Sequence, residues 1–175
     1  MVKMVSMVAA ACALVGAAQG VAAQAAAEPK PAAAYSAVGT GISYYNTPNR
    51  SHTNITQKEV KTLATATVVL AKPGDVLVQF TSQLGNTSKA GCPCSARAAL
   101  VVDNGTPVVV KRANLSGGSG EGAEYVPDRQ GLDGSVVFTL PAGRHDIAMT
   151  VQQVGGSAET IQAFYANMQA IVFTK

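Results

Sequence analysis

Two cysteines separated by one proline, Cys92-Pro93-Cys94, form the part of this sequence whose residue types best suit chemistry. They are the only cysteines after a predicted signal peptide, and in an exported protein such a pair most simply forms one disulfide. A bond that spans a single residue closes a small, strained ring, and strain of this kind favours reduction. We therefore predict a local disulfide that stiffens the loop before the next strand.

Two alternatives for Cys92 and Cys94 stay open. Thiolates are ligands for copper or zinc, but either metal would need further ligands. The two histidines, His52 and His145, are not spaced like a zinc or copper signature. The cysteines could also stay reduced or pair between molecules. The alternative function is therefore a small exported metal- or redox-linked protein that uses this pair.

His145 stands beside Asp146, a pair that raises the question of a hydrolase. Adjacent residues of a strand point to opposite faces, so Asp146 is badly placed to orient the His145 ring. The sequence also lacks the Gly-x-Ser-x-Gly elbow of the α/β-hydrolases. We interpret His145 as a residue at the entry of a strand and predict a protein without catalytic residues.

A Gly-rich stretch, residues 116–134, contains four carboxylates: Glu121, Glu124, Asp128 and Asp133. Carboxylate oxygens are ligands that calcium prefers, but the spacing matches no EF-hand. The glycine run leads into no helix, which argues against a phosphate-binding loop. We predict a flexible solvated loop and no cofactor, with calcium here, copper at the cysteines, and partner binding by the loop as alternatives.

Three asparagines, Asn54, Asn86 and Asn114, each begin an Asn-x-Ser/Thr sequon at a predicted strand edge or turn. They are possible N-glycosylation sites if the source is eukaryotic, whereas a typical bacterial host would leave them unmodified.

Apolar residues recur at every second position between turn signals, which is the pattern of half-buried β-strands. Asp103-Asn104-Gly105 is the strongest hairpin signal. The pattern predicts an all-β protein, an antiparallel two-sheet β-sandwich or jelly roll of about eight strands, whose core lacks tryptophan and relies on Val, Ala and Leu. The predicted strands lie near residues 36–45, 60–71, 75–83, 96–103, 106–113, 134–140, 144–154 and 164–174.

The N-terminal residues predict export. Residues 1–27 combine Lys3, a short apolar run and Ala-rich cleavage sites after Ala23 or Ala27, as in a secretory signal peptide. Residues 28–34 read as an Ala/Pro-rich leader, and residues 35–175 as a single domain. The expected location is secreted or periplasmic. The mature chain has neither a membrane span nor a basic stripe with aromatic partners, so nucleic-acid binding is not expected.

The order of motifs from about residue 60 to residue 175 resembles exported jelly-roll modules related to the complement/tumour-necrosis-factor-like superfamily. The resemblance is carried by a strand that ends in Val-Asp-Asn-Gly, the Leu140–His145 corner Leu-Pro-Ala-Gly-Arg-His, and a closing Ala-Ile-Val-Phe strand. It implies a secreted, often trimeric, recognition or structural domain.

Composition, motifs and resemblance together favour a secreted, non-enzymatic β-sandwich that acts as a structural or recognition module. The expected partners are copies of the same chain or an extracellular or cell-surface ligand.

Overall fold

The computed structural model describes residues 34–36, 42–46, 52–120 and 124–173. These ranges contain ten strands: β1 (Ala34–Ser36), β2 (Ile42–Asn46), β3 (His52–Thr56), β4 (Val60–Leu70), β5 (Gly74–Asn86), β6 (Cys94–Val102), β7 (Val108–Leu115), β8 (Arg129–Leu140), β9 (Gly143–Gly155) and β10 (Thr160–Phe173).

The strands form two antiparallel sheets. The six-stranded sheet has the order β1-β2-β10-β5-β8, and β3 continues the line of β2 along the same edge of β10. The four-stranded sheet has the order β4-β9-β6-β7. The chain crosses from one sheet to the other at most of its connections between β4 and β10, so most of the strands that pair there are distant in sequence. This arrangement is a jelly roll, and it confirms the predicted fold class.

The core lies between the sheets and follows the predicted alternation. Val76, Val78 and Phe80 of β5, in one sheet, and Ile147 and Met149 of β9, in the other, are all buried in this core. Many of the other core residues are alanines, and Phe80 is the only fully buried aromatic side chain within the described ranges. Small side chains remove less apolar area from water per residue, so this core depends on close packing of the sheets.

Strand boundaries differ from the predictions in the first three strands and at the start of β8. The predicted strand 36–45 covers the end of β1 and most of β2, and β3 was not predicted because only Ile55 in it is buried. The loop predicted over 116–134 is shorter, since β8 begins at Arg129. The glycines of this stretch favoured a loop, but residues 129–140 pair continuously with β5.

The β6–β7 hairpin is confirmed. Its tight turn places Asp103 (φ 51°) and Asn104 (φ 57°) in the left-handed region, and the Gly105 amide donates to the Val102 carbonyl at 2.8 Å. Two successive positive φ angles define a type I′ turn, whose twist matches that of antiparallel strands.

Several predictions concern residues outside the described ranges. The signal peptide lies wholly outside them, and so does the Ala/Pro-rich leader, apart from Ala34 at the start of β1. The single-domain division therefore stays a prediction. In the described part of the chain we find no helix with the length and apolar character that a membrane crossing requires.

Candidate functional site

The Cys92–Cys94 segment lies at the end of the sandwich where β6 begins. The two sulfurs are joined in the structure, with their Cα atoms 4.3 Å apart. The Cys92 amide donates to the Lys89 carbonyl at 3.2 Å, and the Ser157 amide donates to the Gly91 carbonyl at 2.8 Å. The loop is thereby tied to the β9–β10 connection. Within the described residues no group of three His, Cys, Asp or Glu side chains could hold a metal. The disulfide, redox and metal interpretations all stay predictions.

His145 faces the interior, and both of its ring nitrogens are engaged. Nδ1 lies 2.7 Å from Oδ2 of Asp103 and Nε2 lies 3.0 Å from the carbonyl oxygen of Pro141. The same Asp103 carboxylate accepts the Asp146 amide at 2.8 Å. The Asp146 side chain lies on the opposite face, beside Thr67 and Arg144. His145 therefore connects the β6–β7 turn to the β8–β9 corner.

The partners of His145 determine its ionisation. The hydrogen bond to Asp103, followed by the bond to Pro141, raises the pKa of His145 above its ordinary value. The pKa of Asp103 is lowered by the hydrogen bond from His145 and then by the Asp146 amide. A carbonyl oxygen and a carboxylate can only accept, so the ring donates from both nitrogens as an imidazolium. A histidine held in this way is a structural cation and is poorly suited to act as a catalytic base.

Asp128 organises the loop between β7 and β8. Its Oδ2 accepts the Ser116 amide at 2.6 Å and the Ser116 hydroxyl at 2.9 Å, and its Oδ1 accepts from Gln130 at 2.9 Å. These bonds, with the Ser116 amide foremost, lower the pKa of Asp128. Of the other predicted acidic residues, Asp133 lies on β8 near Lys111 (3.8 Å), Glu124 is exposed and Glu121 lies outside the described residues. Calcium binding stays a prediction.

The three sequon asparagines occupy different environments. Asn54 and Asn114 are exposed, whereas Asn86 is 3% exposed. The Asn86 side-chain nitrogen donates to the Ser88 carbonyl at 2.8 Å, and its Oδ1 accepts the Asp128 amide at 3.1 Å. Exposure suits the predicted glycosylation at Asn54 and Asn114, whereas the Asn86 side chain is committed to bonds within the fold; N-glycosylation stays a prediction.

The surface of the six-stranded sheet that points away from the core, which we name the outer face, carries an apolar row at one end. Leu77, Val137 and Ile171 are direct cross-strand partners on β5, β8 and β10. Phe173 lies one row further along β10. Val137 is 57% exposed and Phe173 is 48% exposed. We name these four residues the apolar row.

The middle of the outer face is polar and mostly uncharged. Gln79 and Gln169 are cross-strand partners, and the side-chain nitrogen of Gln169 donates to Oε1 of Gln79 at 2.7 Å. The next row places Thr81 opposite Asn167. Amide and hydroxyl side chains thus separate the apolar row from the other end of the face.

The other end of the outer face carries an aromatic patch, made of His52, Phe164, Tyr165 and Arg129. The Phe164 ring lies 5.7 Å from His52 and 6.0 Å from Tyr165 between centroids, and the Arg129 guanidinium carbon lies 4.9 Å above it. This patch was not predicted from the sequence. Its one local signal is the adjacent pair Phe164-Tyr165, which interrupts the period of two.

Comparisons with known proteins give structural similarity only. No family model matches the chain, and neither does any curated protein. Similar solved structures include Eiger TNF from S. frugiperda, which is 9% identical over 77% of this chain and 92% of that one, with a TM-score of 0.47. A protein of the infectious bursal disease virus Gx strain is 11% identical over 74% of this chain and 33% of its own, with a TM-score of 0.40. A pentameric capsid protein from metagenomic phage sequences is 17% identical over 67% of this chain and 59% of its own, with a TM-score of 0.29.

The chain thus spans about a third of the length of the viral protein. The jelly-roll assignment itself rests on the strand order of the two sheets.

Proposed function

We propose that this chain is an exported, non-enzymatic jelly roll that assembles with copies of itself and serves as a structural or recognition module. The observation that carries the proposal is the apolar row on the outer face. Side chains on this face point away from the core, so their apolar character does not contribute to it. A contiguous row of apolar side chains beside polar rows is typical of an interaction site.

The apolar row has the geometry of a contact surface. Its members lie side by side across β10, β5 and β8, and β2 places the backbone of Ile42 opposite Ile171. A stable interface buries roughly 800 Å² on each partner, more than four side chains supply. Self-association would therefore extend from the apolar row onto the neighbouring polar rows, which would form the rim of the interface.

The non-enzymatic part of the proposal is supported by the histidine that first suggested catalysis. The His145 side chain is 8% exposed, and its two ring nitrogens are committed to Asp103 and Pro141. It therefore offers no nitrogen to a substrate.

Light scattering on the secreted protein tests self-assembly. We expect a symmetric oligomer at micromolar concentration that is dissociated by Val137→Glu, because a carboxylate buried in an apolar contact must lose its hydration. Val69→Glu is the matched control, since Val69 is 66% exposed on the outside of β4 in the other sheet. It should leave the mass unchanged. A wild-type protein that stays monomeric at every concentration would overturn the proposal, as would equal masses for the wild type and the Val137 variant.

A further inference from the structure

The aromatic patch is built around a β-bulge in β10. Phe164 pairs with Gln83 and Asn167 pairs with Thr81, so two residues of β10 lie opposite Ser82 alone. Tyr165, within the bulge, has φ 53°. An aromatic residue rarely adopts this left-handed conformation, and bulges that hold one often redirect a side chain at a functional position.

Two polar side chains hold the bulge in place. The hydroxyl of Ser82 donates to the Phe164 carbonyl at 2.8 Å, and the side-chain nitrogen of Asn167 donates to the Tyr165 carbonyl at 3.0 Å. Ser82 is itself buried. A buried residue, Ser82, therefore helps to hold Tyr165 in a backbone conformation that is unfavourable by itself.

The bulge presents rings on an open surface. A Cβ at Gly85 would lie 3.2 Å from the Phe164 ring, so the glycine leaves the ring room to lie against the sheet. His52 and Arg129 are exposed, and Phe164 and Tyr165 are half-buried. Aromatic faces of this kind offer apolar area with little loss of side-chain freedom on binding.

Planar amides surround the rings. Gln83 is exposed in the same row as Phe164. In the next row, the side-chain nitrogen of Gln162 donates to Oδ1 of Asn54 at 3.1 Å. Each amide has donors and an acceptor in one plane. Arg129, which stacks on Phe164, is the one charged member of the patch, and Asp133 in the next row lies 3.8 Å from Lys111.

We propose that the aromatic patch, with Gln83 and Gln162, binds a neutral saccharide. A pyranose ring has one face of C–H groups, which packs on an aromatic ring, and a rim of hydroxyls that both donate and accept. The aromatic rings of the patch pack against the C–H face, and the amides hydrogen-bond to the hydroxyls. A neutral ligand also matches a patch whose polar groups, apart from Arg129, are mainly uncharged amides. This proposal rests on the recognition role proposed above but does not require self-assembly.

Calorimetry with short neutral oligosaccharides tests the proposal, after affinity electrophoresis in gels that contain dextran, galactomannan or xyloglucan has selected the sugar. Expression in a bacterial host keeps Asn54 unmodified. Tyr165→Gly removes the ring and suits a positive φ, so the variant should fold at least as well as the wild type. We expect it to weaken binding by about tenfold or more. Gln162→Ala should weaken binding by a smaller factor.

Phe173→Ala is the matched control, because it removes an aromatic ring from the same face at the opposite end. It should leave affinity for the short oligosaccharide unchanged. The proposal is overturned if no neutral polysaccharide retards the protein, if heparin or polygalacturonate alone does so, or if Tyr165→Gly binds as the wild type does. Light scattering on the same samples reports self-assembly separately, so failure of one proposal is distinguishable from failure of the other.

Discussion

At the scale of single residues, the His145–Asp103 pair makes stability depend on pH. The folded pKa of His145 lies above 6.5, so its contribution is complete below about pH 6.5 and is lost as the pH rises through the folded value. The folded pKa of Asp103 lies below 3.8, so its contribution is present above about pH 4 and is lost on further acidification. We expect the free energy of unfolding of the wild type to exceed that of His145→Asn most between these limits.

Urea unfolding from pH 3 to pH 9 measures this difference. In the Asp103→Asn background, His145→Asn should change stability by an amount that depends much less on pH, because the carboxylate partner is gone. A difference in the free energy of unfolding between wild type and His145→Asn that stays constant from pH 5 to pH 9 would show that the pair is not ionised as described.

The alternation of side chains along a strand correctly predicted that Asp146 does not orient the His145 ring. It could not identify Asp103, which lies 42 positions earlier in the chain and is brought close only by the β6–β7 turn.

At the scale of elements, β8 shows how packing overrides a local signal. A Cβ at Gly134 would lie 2.6 Å from Cγ1 of Val110 and 3.1 Å from the Phe80 ring, so this glycine permits the close approach of β7 to β8. We expect Gly134→Ala to destabilise the fold by about 1–3 kcal/mol through overpacking. Gly131→Ala on the same strand is the control and should lie within about 0.5 kcal/mol of the wild type, since its nearest neighbour is the Asp133 side chain at 3.4 Å.

Chemical denaturation of the two single variants and of Val110→Ala/Gly134→Ala measures the effect. Adding Val110→Ala to Gly134→Ala should recover part of the lost stability. Equal stabilities for Gly131→Ala and Gly134→Ala would contradict the packing argument.

The alternation of apolar residues was enough to predict β4, β5, β6 and β9, because each buries one face along its whole length. The same rule predicted a strand only from Gly134 and placed Gly131 in a loop, since a glycine in a strand looks the same in sequence as a glycine in a turn.

At the scale of the whole molecule, the outer face brings together residues that no local pattern connects. His52 and Phe164 are 112 positions apart and become neighbours only through the pairing of β3 with β10. The sequence could therefore predict two sheets with alternating faces, but not which outward residues share a row. Ile171 lies seven positions after Phe164 on β10, which places the apolar row roughly 20 Å from the aromatic patch. An interface at one end of the face thus leaves the other end accessible.

The distance between the apolar row and the aromatic patch leads to a prediction that combines the two proposals. An oligomer presents several aromatic patches to one polymer, so its apparent affinity for a long polysaccharide should exceed that of a monomer although each patch is unchanged. Val137→Glu should therefore lower affinity for the polymer by about tenfold or more while leaving affinity for a short oligosaccharide as it was. Calorimetry with the oligosaccharide and gel retardation by the polymer measure the two effects, with Val69→Glu as the control. Equal losses for both ligands would place the apolar row within the binding site, and unchanged retardation of a dissociated protein would show that each patch binds alone.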